Sequence, residues 1–307
     1  MIYPMEEMMK KKNIAKILIA TILFTGCNTF NKKPTDPINQ PAVIERDESV
    51  KELPYDPVSL IEYINQNIEK VDKDKKELYL FTLEDTLISN LNIVGGVVNS
   101  EEFKSALAFL NDGETLKDSD IDSIKDDAIK NEVIKIYNMY YVINKSGDTL
   151  VPNLNYNKFL DLIKDNQVLK EYYSIKQEEN DNPTLFKGVM QLSAKELLDR
   201  INTIENFIVN HKTFSRNTDF ISRYQSWLYV LLTGTTLSPI VDGNGKLIDS
   251  YQELSEKLEP KTIADRAFLD GVYIIKKKAS LDDEVLGELR SVVRDAVFEI
   301  KDKVEMK

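Results

Sequence analysis

The sequence has very few cysteine and histidine residues, the side chains that hold zinc, haem iron and iron–sulfur clusters. It contains one cysteine, Cys27, and one histidine, His211. An intrachain disulfide, a zinc-finger site and a haem or iron–sulfur cluster held by several cysteines are therefore excluded. The motifs G-x-S-x-G, G-x-x-x-x-G-K-[ST] and G-x-G-x-x-G are also missing. We predict a protein that is not an enzyme, with no catalytic site, no metal site, no cofactor and no small-molecule substrate.

His211 is the only imidazole that could serve as a general base. It lies beside Lys212, close to the predicted end of a helix, where a cation complements the helix dipole. No serine, cysteine or aspartate motif surrounds it, so we interpret His211 as a helix-end residue.

The chain has fewer positively charged than negatively charged side chains. Lysine and arginine total 40 against 51 aspartates and glutamates, a formal net charge of −11 that excludes a polycation coating nucleic acid. The one run of three cations in the body of the chain is Lys276-Lys277-Lys278. With Arg290 and Arg294 of the next predicted helix, it is a candidate contact for an anion or a nucleic acid. The alternative is a solvated helix end, where lysines complement the dipole.

Three aspartates, Asp118, Asp120 and Asp122, have the spacing of a calcium-binding loop. Such a loop also needs glycine at its sixth position and a bidentate glutamate at its twelfth. Ser123 and Ile129 occupy those positions here. We therefore interpret the aspartates as acids at the start of a helix.

The N-terminal apolar run is too short to span a bilayer. Residues 17–26 are ten uncharged, mostly apolar residues, whereas a spanning helix needs about 20. Four lysines, at 10–12 and 16, precede this run in the order of a secretory signal peptide. Because two glutamates stand ahead of the lysines, we expect translation to begin at Met9.

The apolar run ends in Leu23-Phe24-Thr25-Gly26-Cys27, which resembles the bacterial lipobox. Thr25 and Gly26 match the lipobox pattern, and Phe24 replaces the usual leucine. The resemblance implies that residues 1–26 are a signal peptide and that Cys27 carries fatty acids such as palmitate. Two or more acyl chains hold a protein stably in a bilayer. The alternative for Cys27 is a buried free thiol.

Residues 27–57 contain five of the ten prolines in the chain and show no apolar periodicity. This composition predicts a disordered, partly polyproline-II tether.

Helical signals dominate from residue 58 onward, where apolar residues recur at three- and four-residue intervals. We predict that residues 58–307 form an all-α multi-helix bundle of about nine to ten helices. An internal break, a candidate sub-domain boundary, is placed at 178–190. One short β-hairpin is predicted near 237–249, around the turn Asp242-Gly243-Asn244-Gly245. The predicted helices cover about 58–68, 74–92, 99–113, 119–145, 155–178, 193–211, 218–233, 250–258, 262–279 and 281–305.

The last two predicted helices are expected at the centre of the bundle. Val285, Leu289, Val292, Ala296 and Ile300 recur at helical spacing and are predicted to line the core.

A relaxed lipobox, a proline-rich tether and a helical body rich in lysine, asparagine and isoleucine together resemble the plasmid-encoded surface lipoproteins of Borrelia. The resemblance implies a helical-bundle antigen on the outer membrane of a spirochaete, with host proteins such as complement regulators as partners. Some helical members look like DNA binders. No motif matches residue by residue, so no binding residue is carried over.

We expect a lipid-anchored cell-surface protein that acts by binding, with a host protein as the leading partner. The second candidate is a nucleic-acid-binding lipoprotein with contacts on helices 261–294. The third is a structural or enzymatic lipoprotein that faces the periplasm.

Overall fold

The structure is a computed structural model that describes residues 50–304. The predicted signal peptide (1–26), Cys27 and most of the predicted tether (27–57) lie outside the described residues. The described end of the tether, residues 50–57, is not the disordered segment that was predicted: Val50 and Leu53 are buried in the core, and the Tyr79 hydroxyl donates to Glu52 at 3.1 Å.

Residues 50–304 form eleven α-helices. They are α1 (Pro57–Asn67), α2 (Lys73–Val98), α3 (Glu101–Ala106), α4 (Asp127–Asn138), α5 (Tyr156–Asp161), α6 (Gln167–Asp181), α7 (Ala194–Asn210), α8 (Asn217–Thr233), α9 (Asp249–Lys257), α10 (Ile263–Lys278) and α11 (Asp283–Lys301). Two antiparallel hairpins are also present in this part of the chain: β1 (Tyr141–Ser146) with β2 (Thr149–Leu154), and β3 (Leu185–Phe186) with β4 (Val189–Met190). The predicted helical bundle is confirmed, but its main hairpin lies at 141–154.

Helices α7, α8, α10 and α11 pack against one another around an apolar core. Capping boxes begin two of them, Ser193 with Glu196 before α7 and Thr262 with Asp265 before α10. At Gly271 of α10, an added Cβ would lie 2.6 Å from a methyl carbon of Leu232 on α8. The missing side chain therefore allows α8 and α10 to approach closely.

The predicted core line of the final helix is largely correct. Val285, Leu289, Ala296 and Ile300 are buried in α11. Val292 is only half-buried, and its neighbour Val293 is buried instead.

The predicted helix at 119–145 is wrong. A 3-10 turn covers Asp118–Ser123, α4 ends at Asn138, and Tyr140 then takes a left-handed backbone conformation (φ 64°) before β1 begins. Along β1, Tyr141 and Ile143 are buried, as expected for alternate residues of a strand with one face on the core. Gly147, with φ 61°, belongs to the two-residue turn to β2.

The hairpin β1–β2 is held by α2, which is distant in sequence. The Tyr141 hydroxyl donates to Leu87 O at 2.7 Å. Beyond the end of α2, the Asn99 side chain donates to Leu150 O (2.6 Å) and accepts from Leu150 N (3.0 Å), so it pairs with β2 as a strand backbone would. Gly95 lies opposite Pro152, and α2 continues through Gly95 and Gly96 to Val98. The predicted end of this helix near residue 92 is therefore also wrong.

Two further predicted elements differ from the structure. The helix predicted at 155–178 is divided into α5 and α6, and Asn166 caps the second. Residues 237–249 form a compact turn with one isolated bridge, Val241 to Leu247, rather than two strands. At Gly245, with φ 77°, an added Cβ would lie 2.1 Å from Ala279 O. This turn therefore packs closely against the end of α10, where Gly245 leaves room for the backbone of Ala279. The segment 178–190 contains the last residues of α6 and the short hairpin β3–β4.

Candidate functional site

The predicted cationic run lies at the C-terminal end of α10. Lys278 Nζ lies 2.7 Å from Glu284 Oε1 and 3.5 Å from Glu288 Oε1, and the hydrogen bond to Glu284 raises the pKa of Lys278. Lys276 donates to Ser255 Oγ at 3.2 Å. Lys277 lies 5.9 Å from the ring centroid of Tyr273, which is exposed on the same helix. Two carboxylates thus offset part of the charge of this run.

Arg290 and Arg294 do not join the lysines on one surface. Helices α10 and α11 are antiparallel neighbours, and ion pairs from Glu288 to Lys278 and from Glu299 to Arg266 join them. Arg290 lies two residues, or about 200° of helical rotation, from Glu288. Arg294 lies six residues from Glu288, which also places it away from that edge, and its Nε is 3.3 Å from Asp295 Oδ1. The edge of α11 nearest the lysines is therefore acidic.

His211 caps the C-terminus of α7, as its predicted helix-end position requires. Its Nε2 lies 2.9 Å from Glu171 Oε2, and this hydrogen bond lowers the pKa of Glu171. A surface depression of about 440 Å³ lies beside His211 and is also lined by Lys73, Glu77 and Lys212. Its charges are mixed, and His211 is already paired.

A buried ion pair that the sequence analysis did not identify joins α2 to α6. Glu84 of α2 is 1% exposed and accepts hydrogen bonds from Lys176 Nζ and from Tyr172 Oη (3.2 Å). The Lys176 ammonium also lies 4.6 Å from the ring centroid of Tyr172 and 5.3 Å from that of Tyr156. Because the pair is enclosed by aromatic rings, we interpret it as a structural link between the two helices.

A second depression, of about 270 Å³, is lined by several amide side chains, and we name it the amide-lined cleft. Five of its twelve lining residues are asparagine or glutamine. The lining consists of residues 115–118, Tyr137 of α4, Val142 and Asn144 of β1, Asn155 and Asn157 at the start of α5, and Gln177, Asn180 and Asp181 at the end of α6.

The positions of these side chains follow from the elements that carry them. Val142 and Asn144 are two residues apart on a strand and so share one face, opposite the buried Tyr141 and Ile143. Gln177, Asn180 and Asp181 are separated by three and four residues and so share one side of α6. The cleft therefore forms where this strand face meets the end of that helix.

Some amides of the cleft are held in place by internal hydrogen bonds. Asn180 Nδ2 donates to Leu154 O at 2.6 Å, and Gln177 Nε2 donates to Asp181 Oδ1 at 2.8 Å. Asn144 differs from them. Its Oδ1 is buried but accepts no hydrogen bond from residues 50–304. A buried acceptor without a partner costs free energy, so this atom calls for a physical explanation.

The charges around the amide-lined cleft are few and mixed. Lys117, Asp118 and Asp181 line it, so its formal charge is −1. Burial, together with Asp118 and Asp120, raises the pKa of Tyr137, which therefore remains a neutral phenol. The Tyr137 hydroxyl donates to Leu116 O and so holds the ring in place.

The cleft was not predicted from the sequence, because Val142 and Asn144 were predicted to lie in a long helix. The alternation Tyr141-Val142-Ile143-Asn144, followed by Gly147, was the signal for a strand and a turn. Asp118 was predicted to be an acid at the start of a helix; it is the first residue of the 3-10 turn Asp118–Ser123 and also lines this cleft.

Comparisons with protein-family models, with curated protein sequences and with solved structures found no match. Among residues 50–304, no helix combines the length and apolar character needed to cross a membrane. The same residues contain no group of three or more histidine, cysteine, aspartate or glutamate side chains placed to hold a metal ion.

Proposed function

We propose that this protein is a lipid-anchored lipoprotein of the bacterial outer surface, and that it acts by binding a host protein rather than by catalysis. The observation that carries the proposal is the placement of the only cysteine. Cys27 follows a cluster of lysines and a ten-residue apolar run, and the three residues before it resemble a lipobox. Acylation at Cys27 would attach the chain to the bilayer.

The start of the described domain supports this arrangement. Helix α1 begins at Pro57 with Asp56 as its N-cap, and Asp56 Oδ2 accepts from Ser59 N at 2.8 Å. The packed domain begins before this helix, because Val50 and Leu53 are buried in its core. The chain from Cys27 to Val50 spans 23 residue steps, which is 50 − 27. Fully extended, it reaches at most about 76 Å, at roughly 3.3 Å per residue. The helical domain could therefore stand clear of the membrane.

Binding is favoured over catalysis by the state of the ionisable groups in residues 50–304. The His211 imidazole is paired with Glu171. The buried Glu84 and Lys176 are paired with each other, away from solvent. Because Glu84 and Lys176 are buried and paired, neither can reach a substrate as a general acid or base.

The anchor is tested by comparing the full-length protein with Cys27→Ala in a detergent phase-partition assay. We expect the unmodified protein in the detergent phase and the variant in the aqueous phase. If Cys27→Ala remains in the detergent phase, the anchor lies elsewhere. Protease treatment of intact cells should degrade the protein, and complete protection would favour the periplasmic alternative. A pull-down from host serum and matrix with full-length protein tests for the host ligand.

A nucleic-acid-binding role is the second candidate. One observation favours it: Lys276 and Lys277 are exposed, and neither pairs with a carboxylate among residues 50–304. The acidic edge of α11 beside Lys278 weighs against a continuous basic surface. A DNA mobility-shift assay at several salt concentrations separates the two functions, because phosphate contacts weaken steeply with salt.

A further inference from the structure

We propose that the surface depression beside His211 binds the carboxylate group of an organic acid. The inference goes beyond the proposed function, because it concerns neither the membrane anchor nor the identity of a host protein. Two lysines line this depression of about 440 Å³: Lys73, the first residue of α2, and Lys212, in the turn between α7 and α8. Both side chains are exposed, and neither ammonium has a partner among residues 50–304. Two cations are therefore free to meet an anion here.

A further donor in the depression is the side-chain amide of Asn166, the N-cap of α6. Asn166 is only 9% exposed, and its Oδ1 accepts from Leu169 N at 3.2 Å. Its Nδ2 donates to no group of residues 50–304 and is not among the buried atoms that lack a partner. The Nδ2 group therefore lies at the solvent-accessible surface, where an acceptor atom of a ligand can reach it.

The start of α6 lies in the same depression. Val168, the second residue of this fifteen-residue helix, lines it, and its backbone N–H has no partner among residues 50–304. The first N–H groups of a helix lack acceptors within the helix and carry partial positive charge, so they attract an anion. The amide of Asn166 and the two lysines add to this attraction from three different parts of the chain.

The charge of the lining fits one carboxylate group. Lys73 and Lys212 contribute +2 and Glu77, the only carboxylate of the lining, contributes −1, which leaves +1 when His211 is counted as neutral. Glu77 already accepts a hydrogen bond from the Ser215 hydroxyl at 3.1 Å. A monocarboxylate balances a charge of +1, whereas a phosphate group with nearly two negative charges exceeds it.

The depression also offers apolar surface beside its donors. Val168, Val209 and Phe214 line it and are half-buried. Its volume lies within the range of small-ligand sites, about 300–1,000 Å³. An acid whose carboxylate meets the donors can therefore place its carbon chain against these three side chains. A free organic acid and the C-terminus of a peptide share this chemistry.

Three substitutions test the donors and preserve the fold. Lys73→Gln and Lys212→Gln each remove one charge from an exposed side chain. Asn166→Asp keeps an oxygen to cap α6 but replaces the Nδ2 donor by an oxygen that repels a carboxylate. Aspartate and asparagine are equally good N-caps, so this variant should fold. Lys158→Gln is the matched control, because Lys158 is an exposed lysine on α5 that does not line the depression.

The assay is a ligand-observed NMR titration of the full-length protein in a non-ionic detergent. Butyrate is compared with butyramide, its uncharged analogue, and an N-acetylated dipeptide acid is compared with the corresponding C-terminal amide. Inorganic phosphate is the anionic comparator. We expect both acids to bind with a Kd of about 1–10 mM, and both amides to bind at least about 10-fold more weakly. A dipeptide acid that binds more tightly than butyrate identifies a peptide C-terminus as the source of the carboxylate, and one that does not identifies a free acid.

The variants should rank by the donors that they remove. We expect the Kd for butyrate to rise about 3- to 10-fold in Lys73→Gln and in Lys212→Gln, and by more than about 10-fold in Asn166→Asp. It should be unchanged in Lys158→Gln. Urea denaturation checks that each variant is folded, and the two lysine variants decide the outcome if Asn166→Asp is not.

Three results would overturn the proposal. They are the absence of binding by either acid up to about 20 mM, with or without binding of phosphate, amides that bind as tightly as the acids, and binding that no folded variant of the lining weakens. The anchor assay with Cys27→Ala and the pull-down from serum do not depend on this depression. A protein that partitions into detergent and binds no carboxylate would refute this site and leave the surface-lipoprotein proposal standing.

Discussion

In the four helices α7, α8, α10 and α11, short-range signals in the sequence decide the structure, whereas in the segment 115–181 contacts between distant residues decide it. The predicted helix at 193–211 is α7 (Ala194–Asn210), and the one at 262–279 is α10 (Ile263–Lys278). The segment 115–181 was predicted as two long helices and contains three helices and a hairpin. The residues that cap a helix are its sequence neighbours, so a helix end can be predicted from the local sequence. The hydrogen bond from Tyr141 to α2 joins residues that are distant in sequence and cannot be predicted in this way.

Both regions contain buried polar groups, some with hydrogen-bond partners and some without. Between α7 and α10, the buried Glu205 carboxylate accepts from Ile263 N (2.7 Å) and Ala264 N (2.9 Å), so it satisfies two free N–H groups at the start of α10. In the segment 115–181, amides gather on the surface of a cleft, and Asn144 Oδ1 stays unpaired. The first region is not free of such atoms, because Asn217 Oδ1 and Arg223 NH1 of α8 are also buried without a hydrogen-bond partner among residues 50–304.

The largest expected effect is a truncation in the four-helix core. Leu289 of α11 is fully buried, so Leu289→Ala should lower the free energy of unfolding by about 2–5 kcal/mol, through lost burial and a residual cavity. Urea denaturation measures it. The neighbouring valines give a matched control: Val293→Ala should cost more than Val292→Ala, since only Val293 is buried. Equal costs would show that α11 is rotated from its position in the structure.

Much of the fold was predictable, and little of the candidate site. The fold class and the helices after residue 193 follow from apolar spacing and capping residues, which act within one helix. The cleft depends on β1 lying beside α6, and no pattern in the sequence states which strand face meets which helix. The alternation of residues at 141–144 could have predicted the strand. The residues that lie beside Asn144 in the cleft could not have been predicted from the sequence.

The second prediction concerns Asp265, which is buried at the start of α10. Burial raises the pKa of its carboxyl, but hydrogen bonds from Lys261 N, Asn202 Nδ2 and Thr262 hold the pKa below its ordinary value. A carboxyl whose pKa is lowered on folding stabilises the protein above its unfolded pKa, about 3.9, and loses that effect as the pH falls through the folded value.

Asp265→Asn should therefore cost about 1–3 kcal/mol at pH 7, the value of hydrogen bonds to a charged group. The gap between wild type and variant should close as the pH falls below about 4. Urea titrations of both proteins from pH 7 to pH 3 measure the gap. A gap that stays constant would mean that the Asp265 charge contributes nothing.

The third prediction compares two buried tyrosines in the less predictable region. Tyr141 Oη donates to Leu87 O, whereas Tyr173 Oη has no partner among residues 50–304, and both side chains are fully buried. Tyr141→Phe should cost about 1 kcal/mol, the net value of one hydrogen bond. Tyr173→Phe should cost nothing or be slightly stabilising, because it removes an unsatisfied hydroxyl. If both substitutions cost the same, the hairpin is not held to α2 by this bond.

The fourth prediction concerns the stability effect of Asn144→Ala. Because Asn144 Oδ1 accepts no hydrogen bond within residues 50–304, truncation of this side chain to alanine removes none from that atom. The free energy of unfolding should therefore change by less than about 0.5 kcal/mol. Thermal and urea denaturation measure the change. A cost above about 1 kcal/mol would show that the Asn144 amide stabilises the hairpin. Asn144 would then be a structural residue and not a polar group without a structural role.

The smallest expected effect lies in the predictable region, at its exposed lysines. Replacement of Lys276, Lys277 and Lys278 together by alanine should leave the stability of the bundle unchanged, because exposed charges contribute little. A control variant that replaces Lys125, Lys158 and Lys212, which are exposed lysines outside helices 261–294, removes the same charge. If the nucleic-acid alternative holds, only the first variant should bind DNA more weakly and with a shallower dependence on salt. Because the acidic edge of α11 already offsets Lys278, we expect both variants to behave alike. A selective loss of DNA binding in the first variant would reverse the ranking of the two proposed functions.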